Sequence, residues 1–296
     1  MKIAVLTYED RGSFAVEDVA DEDQLLESIL EEIGVPFKFE IWSDPKVDWS
    51  SYTCILIKSP WDYFDRYVEF QKWCQKIIAL GIPVFNDLET VLWNADKWYL
   101  KDIQEKGFSI VPTYFVRKGE QPQLGRFFED LGTDRLIVKP TVSGGAKNTI
   151  KMHVASWQKE EEMVLDWMSE GDYMVQPFVE EIENEGEYSY IFFEGKFSHA
   201  VLKSPQKGEF RVQHFFGGKI QAIQPNAEEL QVVQSYIQNF AANTLYARVD
   251  GVWSKGKFLL MELELIEPYL FLFKDAKALV NYKEAIQGFL QKLSQD

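Results

Sequence analysis

Two glutamates, Glu262 and Glu264, interrupt the apolar run FLLMELELIEP, which spans residues 258–268. Residues two apart on a β-strand point to the same face, so both carboxylates would share one face while the intervening leucines point to the other. The upstream segment SKGK is typical of a hairpin turn, and this turn would bring Asp250 within one residue of Glu262. Three carboxylates are therefore predicted to converge on one face of a sheet.

Carboxylates placed this closely repel one another and raise one another's pKa unless a cation neutralises them. Ligands that are all oxygen favour a hard ion such as Mg²⁺, which is usually held by a few carboxylates together with phosphate oxygens. The sequence therefore predicts a metal site formed by Asp250, Glu262 and Glu264. The alternative is an edge strand whose polar face is simply solvated.

A second candidate for chemistry is the segment IVKPTVSGGAKNT, residues 137–149. A predicted strand carries Lys139, and the glycine-rich loop that follows would let backbone N–H groups approach an anion closely. This arrangement suits a polyphosphate, although the lysine precedes the glycines and the segment is not a Walker A loop. The alternative is a plain β-hairpin with a glycine turn.

A third candidate is the segment KSPQKGEFRVQHFFGG, residues 203–218, in which Lys203 and Arg211 flank a glycine-containing loop. An arginine can grip a carboxylate or a phosphate with two parallel hydrogen bonds. Taken alone, the segment is more typical of a solvated surface loop.

The elements that must position these residues follow a readable order. Over residues 1–85, apolar β-rich runs alternate with amphipathic helical segments, which predicts an open parallel α/β sheet. No GxGxxG follows the first strand, so the dinucleotide-binding fingerprint is absent. After residue 85, predicted helices, strands and hairpins follow one another without an internal repeat.

The net charge and the cysteine content of the chain argue against some classes of binding partner and site. The formal net charge is −16, which argues against general binding of nucleic acid or of anionic membranes. Two cysteines form neither a disulfide framework nor a zinc site, and the start of the sequence does not read as a signal peptide, so we expect a cytoplasmic protein. The sequence leaves the oligomeric state open between a monomer and a homodimer.

The order of these motifs resembles the ATP-grasp superfamily of ATP-dependent carboxylate ligases, in particular bacterial glutathione synthetases. The resemblance rests on NDLETVLWNADKWYL, the VKP strand with its glycine-rich loop, VQPFVEEI, PQKGEFRVQHFFGG and the final Asp plus Glu-x-Glu, and it covers nearly the whole chain. Two segments, KSPWDYFDRYVEFQKW and LMELELIEP, resemble a branch that includes the O-ureido-serine cyclo-ligase of cycloserine biosynthesis.

The resemblance implies an α/β (α+β) fold with an N-terminal domain on the substrate side, residues 1–85, followed by a two-lobed ATP-grasp domain. Linker helices and a lid subdomain would occupy residues 86–175, and a C-terminal subdomain with the metal site residues 176–296. Relatives usually have Asn where this chain has Glu264, which would add negative charge to the site.

The resemblance also assigns roles by position. Lys97 and Lys139 would contact the ATP phosphates under a mobile loop, Gln176 to Val179 would form the adenine hinge, and Glu183 or Glu187 would hold the ribose. Arg211, with Lys203, would stabilise the transferring phosphoryl group or an acyl phosphate, and the three carboxylates would hold Mg²⁺, or Mn²⁺. The mobile loop comprises Ser143, Gly144, Gly145 and Ala146, and Pro177 and Val179 would read the adenine edge with backbone groups.

The activity so implied is ligation of a small-molecule carboxylate to an amine through an acyl phosphate, with release of ADP and phosphate. Two alternatives remain open at this stage: a nucleotide-binding protein without ligase activity, and a cation-binding protein without nucleotide. Trp61, Asp62 and Tyr63 follow an apolar strand at its carboxyl end, where open α/β sheets bind ligands, so they are candidates for the substrate wall. A capping loop packed on the core explains them equally well, and Glu267 has no assigned role.

Overall fold

The computed structural model describes residues 1–9, 21–206 and 218–295, and their strands form three sheets. Arg211 lies outside the described residues, so the predicted role of this side chain stays a prediction. Within the described part, no helix combines the length and the apolar composition that crossing a bilayer requires.

The first sheet is parallel, with strand order β2-β1-β3-β4, as the alternating pattern predicts. All side chains of its two central strands, β1 and β3, are buried, because helices and loops cover both faces. The first helix begins after Asp21, whose carboxylate caps it, and ends at Gly34, whose φ of +76° allows the left-handed turn. The elements are β1 (Ile3–Thr7), α1 (Glu22–Ile33), β2 (Phe37–Ile41), β3 (Cys54–Ser59), α2 (Tyr67–Leu80) and β4 (Val84–Phe85).

Two short helices, α3 (Leu88–Asn94) and α4 (Tyr99–Glu105), lead into the second sheet. Lys97 lies in the turn between them. The second sheet has the order β5-β8-β6-β7 and packs α5 and α6 against a core of its own. Its elements are β5 (Tyr114–Val116), α5 (Leu124–Asp130), β6 (Arg135–Pro140), β7 (Ile150–His153), α6 (Glu161–Glu170) and β8 (Tyr173–Pro177).

The third sheet is antiparallel, with the order β11-β10-β9-β12-β13. The acidic segment before it forms the short helix α7. The hairpin predicted at SKGK is present, and a second hairpin joins β9 to β10; their turns place Glu194, Gly195, Lys255 and Gly256 at positive φ. The elements are α7 (Glu180–Asn184), β9 (Glu187–Phe193), β10 (Lys196–Ser204), β11 (Lys219–Ile223), α8 (Ala227–Phe240), β12 (Tyr246–Ser254), β13 (Lys257–Glu264) and α9 (Ala278–Leu293).

The first and third sheets are joined by buried polar contacts. The side chain of Asn86 donates to the carbonyls of Tyr246 and Leu265 and accepts from the backbone N–H of Leu245. The hydroxyl of Tyr246 in turn contacts the carbonyl oxygen of Ile57 at 2.8 Å. One apolar core runs through both sheets and α9, so the predicted mixed α/β class with a parallel N-terminal sheet and two further lobes is confirmed.

Candidate active site

A single cleft of about 380 Å³ collects most of the charged residues that the sequence singled out. It is lined by the ends of the second and third sheets on one side and by the loop after β3 on the other. The predicted site residues on its walls are Lys97, Lys139, Ser143, Gly144, Gly145, Ala146, Gln176, Pro177, Val179, Glu187, Lys203, Asp250, Glu262 and Glu264.

The three predicted metal ligands come together as the strand register requires. Asp250 on β12 lies directly opposite Glu262 on β13, and Glu264 follows on the same face. Each of the three carboxylates offers an oxygen within 4.8 Å of the others, and Asp250 is almost fully buried. An all-oxygen donor set of this size fits a divalent cation.

Arg248 is the residue of this site that sequence reasoning missed. It lies two residues before Asp250 on β12, and its guanidinium donates to both oxygens of that carboxylate at 2.9–3.1 Å. The same side chain contacts Glu264 and donates to the carbonyl of Tyr269 at 2.8 Å. The period-two rule that grouped Glu262 with Glu264 also applies to Arg248 and Asp250, so the signal was present in RVD.

The neighbouring charges decide which carboxylates are ionised. Burial alone would raise the pKa of Asp250, but Arg248 and Lys203 lower it below its ordinary value. The pKa of Glu262 is also lowered, because Lys97 and Lys139 outweigh the effect of burial. Burial raises the pKa of Glu264 well above its ordinary range even though Arg248 opposes this shift. The surrounding charges thus favour the ionised form of Asp250 and Glu262 more than that of Glu264.

Lys203 adds a second buried cation next to the acidic cluster. Its Nζ lies 2.6 Å from Glu187 and 3.6 Å from Asp250. Burial lowers the pKa of Lys203, but the two carboxylates outweigh burial and keep it above its ordinary value. Lys203 therefore stays charged and ties β10 to the first residue of β9.

Lys97 and Lys139 lie on the opposite side of the acidic cluster. The Nζ of Lys97 is 3.1 Å from Glu262 and donates to the carbonyl of Ser143 at 2.8 Å, so it connects the cluster to the glycine-rich loop. Lys139 makes no ion pair with a described residue, and burial lowers its pKa. An anionic ligand would stabilise the charged form of a lysine whose pKa is lowered in this way, so this position in the cleft favours such a ligand.

The glycine-rich loop contacts the N-terminal domain directly. A Cβ on Gly144 would lie 2.4 Å from the ring of Phe64, which explains why the loop needs glycine there. The next lysine, Lys147, forms an ion pair with Asp65. The loop and the segment after β3 therefore meet above the cleft.

The predicted hinge lies at the end of β8. Gln176 is buried and donates to the hydroxyl of Thr113 at 2.9 Å, and Val179 begins the turn into α7. The two ribose candidates differ in position. Glu187 lines the cleft, whereas Glu183 points away from it and pairs with Arg135 at 3.1 Å.

The loop after β3 contributes aromatic side chains to the cleft. Trp61 and Tyr63 line it, and the indole of Trp61 donates to the Glu267 carbonyl at 3.2 Å. Asp62 instead accepts from the indole of Trp42 at 2.6 Å and is not part of the cleft wall. Of the three candidates, two face the cleft and one fixes the loop to the core.

Comparison with known proteins adds independent support. Residues 3–86 match the family of the D-cycloserine synthetase DcsG N-terminal domain, and residues 103–250, half of the chain, match the ATP-grasp domain of prokaryotic glutathione synthetase. The cycloserine biosynthesis protein DcsG of Streptomyces lavendulae is 25% identical over 268 residues, which cover 86% of this chain and 89% of that protein.

Solved structures agree on the fold. The crystal structure of D-cycloserine synthetase DcsG superposes with a TM-score of 0.84 at 24% identity, covering 98% of this chain and all of that one. D-alanine–D-alanine ligase from Bacillus anthracis, complexed with ATP, superposes with a TM-score of 0.69 at 18% identity, covering 100% and 98% of the two chains.

Family membership and the charged cleft lead to the same conclusion, and the predicted resemblance is confirmed. ATP-grasp enzymes use ATP with a divalent metal, which suits a cleft that combines an acidic cluster with buried lysines. The chain belongs to the prokaryotic glutathione synthetase ATP-grasp family and is an ATP-dependent ligase that forms C–N bonds.

Proposed function

We propose that this ligase activates the carboxylate of a small, amino-acid-like substrate as an acyl phosphate, which an amine then attacks, with release of ADP and phosphate. The observation that supports it most is the placement of Arg248, Lys97, Lys139 and Lys203 around one acidic cluster in one cleft. A carboxylate repels nucleophiles, so it needs a phosphoryl group as a leaving group and cations that spread the developing charge.

Lys97 and Lys139 are proposed to hold the ATP phosphates, with the loop of residues 143–146 above them. Lys139 suits this role because it forms no close ion pair with a described residue, and Lys97 because it already contacts the loop. The base would lie against the segment 176–179. Glu187 is a better ribose ligand than Glu183, because only Glu187 lines the cleft.

Asp250, Glu262 and Glu264 are proposed to hold Mg²⁺, with Mn²⁺ as the alternative ion of the same charge. Their oxygens are close enough to share one cation, and the lowered pKa values of Asp250 and Glu262 keep two of them ionised. When bound, the ion would neutralise part of the negative charge on the phosphates.

Arg248 and Lys203 are proposed to stabilise the phosphoryl group during its transfer and the acyl phosphate that results. Both are buried cations that remain charged beside Asp250. Arg211, to which the sequence resemblance gives the same role, is a further candidate. Closure of the loop over the cleft would keep water from the acyl phosphate.

The substrate side is proposed to be formed by residues 1–85, with the lid in residues 86–175 and the metal-binding lobe in residues 176–296. The relative of Streptomyces lavendulae is named for cycloserine biosynthesis and the Bacillus anthracis enzyme for joining D-alanine, so small amino-acid-like compounds are the first substrates to test.

The test is release of ADP and phosphate from ATP with a panel of D- and L-amino acids, with and without Mg²⁺. We expect ADP, not AMP, and dependence on both the amino acid and the metal. Glu262→Gln is expected to lose most of the activity, while Glu129→Gln, a change at an exposed helix position away from the cleft, is expected to retain it. Full activity of Glu262→Gln would overturn the metal assignment, and AMP as the product would overturn the acyl-phosphate route.

A further inference from the structure

Glu267 follows β13 and lies on the cleft wall between the acidic cluster and the N-terminal domain. Tyr63, a side chain that is only 5% exposed, lies on the same cleft wall. The backbone carbonyl of Glu267 accepts from the indole of Trp61. The backbone of Glu267 thus holds the Trp61 indole, and its side chain shares the cleft wall with two aromatic residues.

The charge balance of the cleft singles out this carboxylate. Every other acidic side chain on the wall forms an ion pair with a buried lysine or arginine, whereas Glu267 forms none with a described residue. The Nζ of Lys97, the nearest cation acting on it, is engaged by Glu262. The pairs are Glu187 with Lys203, Asp250 with Arg248 and Lys203, Glu262 with Lys97, and Glu264 with Arg248.

We propose that Glu267, with Tyr63 and Trp61, forms a subsite for the primary ammonium group of the substrate. This inference rests on the proposed function, since an amino-acid-like ligand carries both a carboxylate and an ammonium group. The cations around Asp250 suit the first group, and Glu267 is the carboxylate left to receive the second. A charge-assisted hydrogen bond in a site walled by aromatic rings binds an ammonium strongly, and an aromatic face attracts the same cation.

A purely structural role for Glu267 predicts a different outcome. In that case the carboxylate would only hold Tyr63 in place, and its loss would weaken binding of ligands with and without an amino group alike. An ammonium subsite instead discriminates between matched ligands that differ only in that group.

The experiment measures calorimetric binding to the full chain saturated with MgADP, using two matched ligand pairs. The first pair is D-alanine and D-lactate, and the second is D-cycloserine and 3-isoxazolidinone, which lacks the amino group. We expect the wild-type protein to bind the amine of at least one pair more than about tenfold tighter than its partner. Glu267→Gln is expected to weaken the amine by about 10- to 100-fold, with the des-amino ligand unchanged. Glu129→Gln serves as the carboxylate control and is expected to match the wild type.

The outcomes separate this inference from the proposed function. If wild type fails to bind MgADP, the proposed function itself fails. If it binds MgADP but takes neither amine at millimolar concentration, or if Glu267→Gln keeps full discrimination, the ammonium subsite is wrong and the ligase proposal stands. Unchanged MgADP affinity in Glu267→Gln shows that this variant is folded, and Tyr63→Phe is expected to weaken the amine less than Glu267→Gln does.

Discussion

The guanidinium of Arg248 contacts both carboxylate oxygens of Asp250, two residues further along the same buried strand. A carboxylate has about four lone-pair positions, so this contact leaves room for a cation on the remaining ones. The pair therefore couples a predicted metal ligand to the cation proposed to stabilise the acyl phosphate.

Arg248→Lys tests this coupling, because lysine keeps the charge but cannot contact Asp250 and Glu264 as a planar fork. We expect kcat for ADP release to fall by about 100-fold or more, while KM for ATP changes by less than about threefold. Steady-state kinetics with a saturating amino acid substrate measures both values. Equal losses in kcat and in ATP affinity would instead indicate that Arg248 holds the nucleotide.

Lys139→Met probes the cleft lysine whose pKa is lowered by burial and which forms no close ion pair with a described residue. Removing it is expected to raise KM for ATP at least about tenfold, because a charged hydrogen bond to phosphate contributes roughly 1.5–3 kcal/mol. The variant should be no less stable without nucleotide, since a lysine with a pKa lowered by burial gains little from its site. Lys118→Met, at an exposed position, is the control. A marked loss of stability without nucleotide would point to a structural ion pair.

Gly144→Ala tests the contact between the glycine-rich loop and Phe64. The added methyl group would lie 2.4 Å from the ring, so the loop and the ring cannot both keep their positions. We expect a higher KM for ATP and recovery of part of the loss in the double variant Phe64→Ala/Gly144→Ala, which removes the clash. Activity of the double variant no better than that of Gly144→Ala would mean that the backbone of Gly144 itself is required.

Glu267→Gln gives a prediction for stability against pH. Burial raises the pKa of Glu267 from 4.5 to about 7, so its ionised form destabilises the folded protein without ligand. This penalty is absent below about pH 4.5, grows as the pH rises and is complete above about pH 7. Thermal unfolding should show the variant a few degrees more stable than wild type at pH 8, with the difference vanishing near pH 4.5. A constant difference across this range would contradict the assignment.

Glu264→Asn restores the residue that is usual in the resembled family. One anionic ligand is lost, so we expect weaker binding of Mg²⁺ in the absence of nucleotide, seen as a smaller shift in Tm on adding the ion. Activity at saturating Mg²⁺ is expected to stay within about tenfold of wild type, because an amide oxygen still ligates the ion. Unchanged Mg²⁺ stabilisation would show that Glu264 does not contribute to the site.

The local sequence pattern was sufficient to predict the three clustered carboxylates but not the residues that surround them. Period-two spacing and one turn placed Glu262, Glu264 and Asp250 together, because register follows from the hairpin alone. Arg248 was missed because a single arginine in an apolar strand forms no motif until its carboxylate partners are known. The contact of Gly144 with Phe64 joins segments far apart in the chain, and such contacts depend on how whole sheets pack.

The polar contacts of Asn86 and Tyr246 hold the first and third sheets together, so the three sheets are not equally free to move. Because one core runs through the first sheet, the third sheet and α9, these parts should respond to heat and denaturant as one cooperative unit. The second sheet has its own core and would be the part able to move. A fragment ending after residue 86 would expose the apolar surface that α9 now covers, and we expect such a fragment to aggregate when expressed alone.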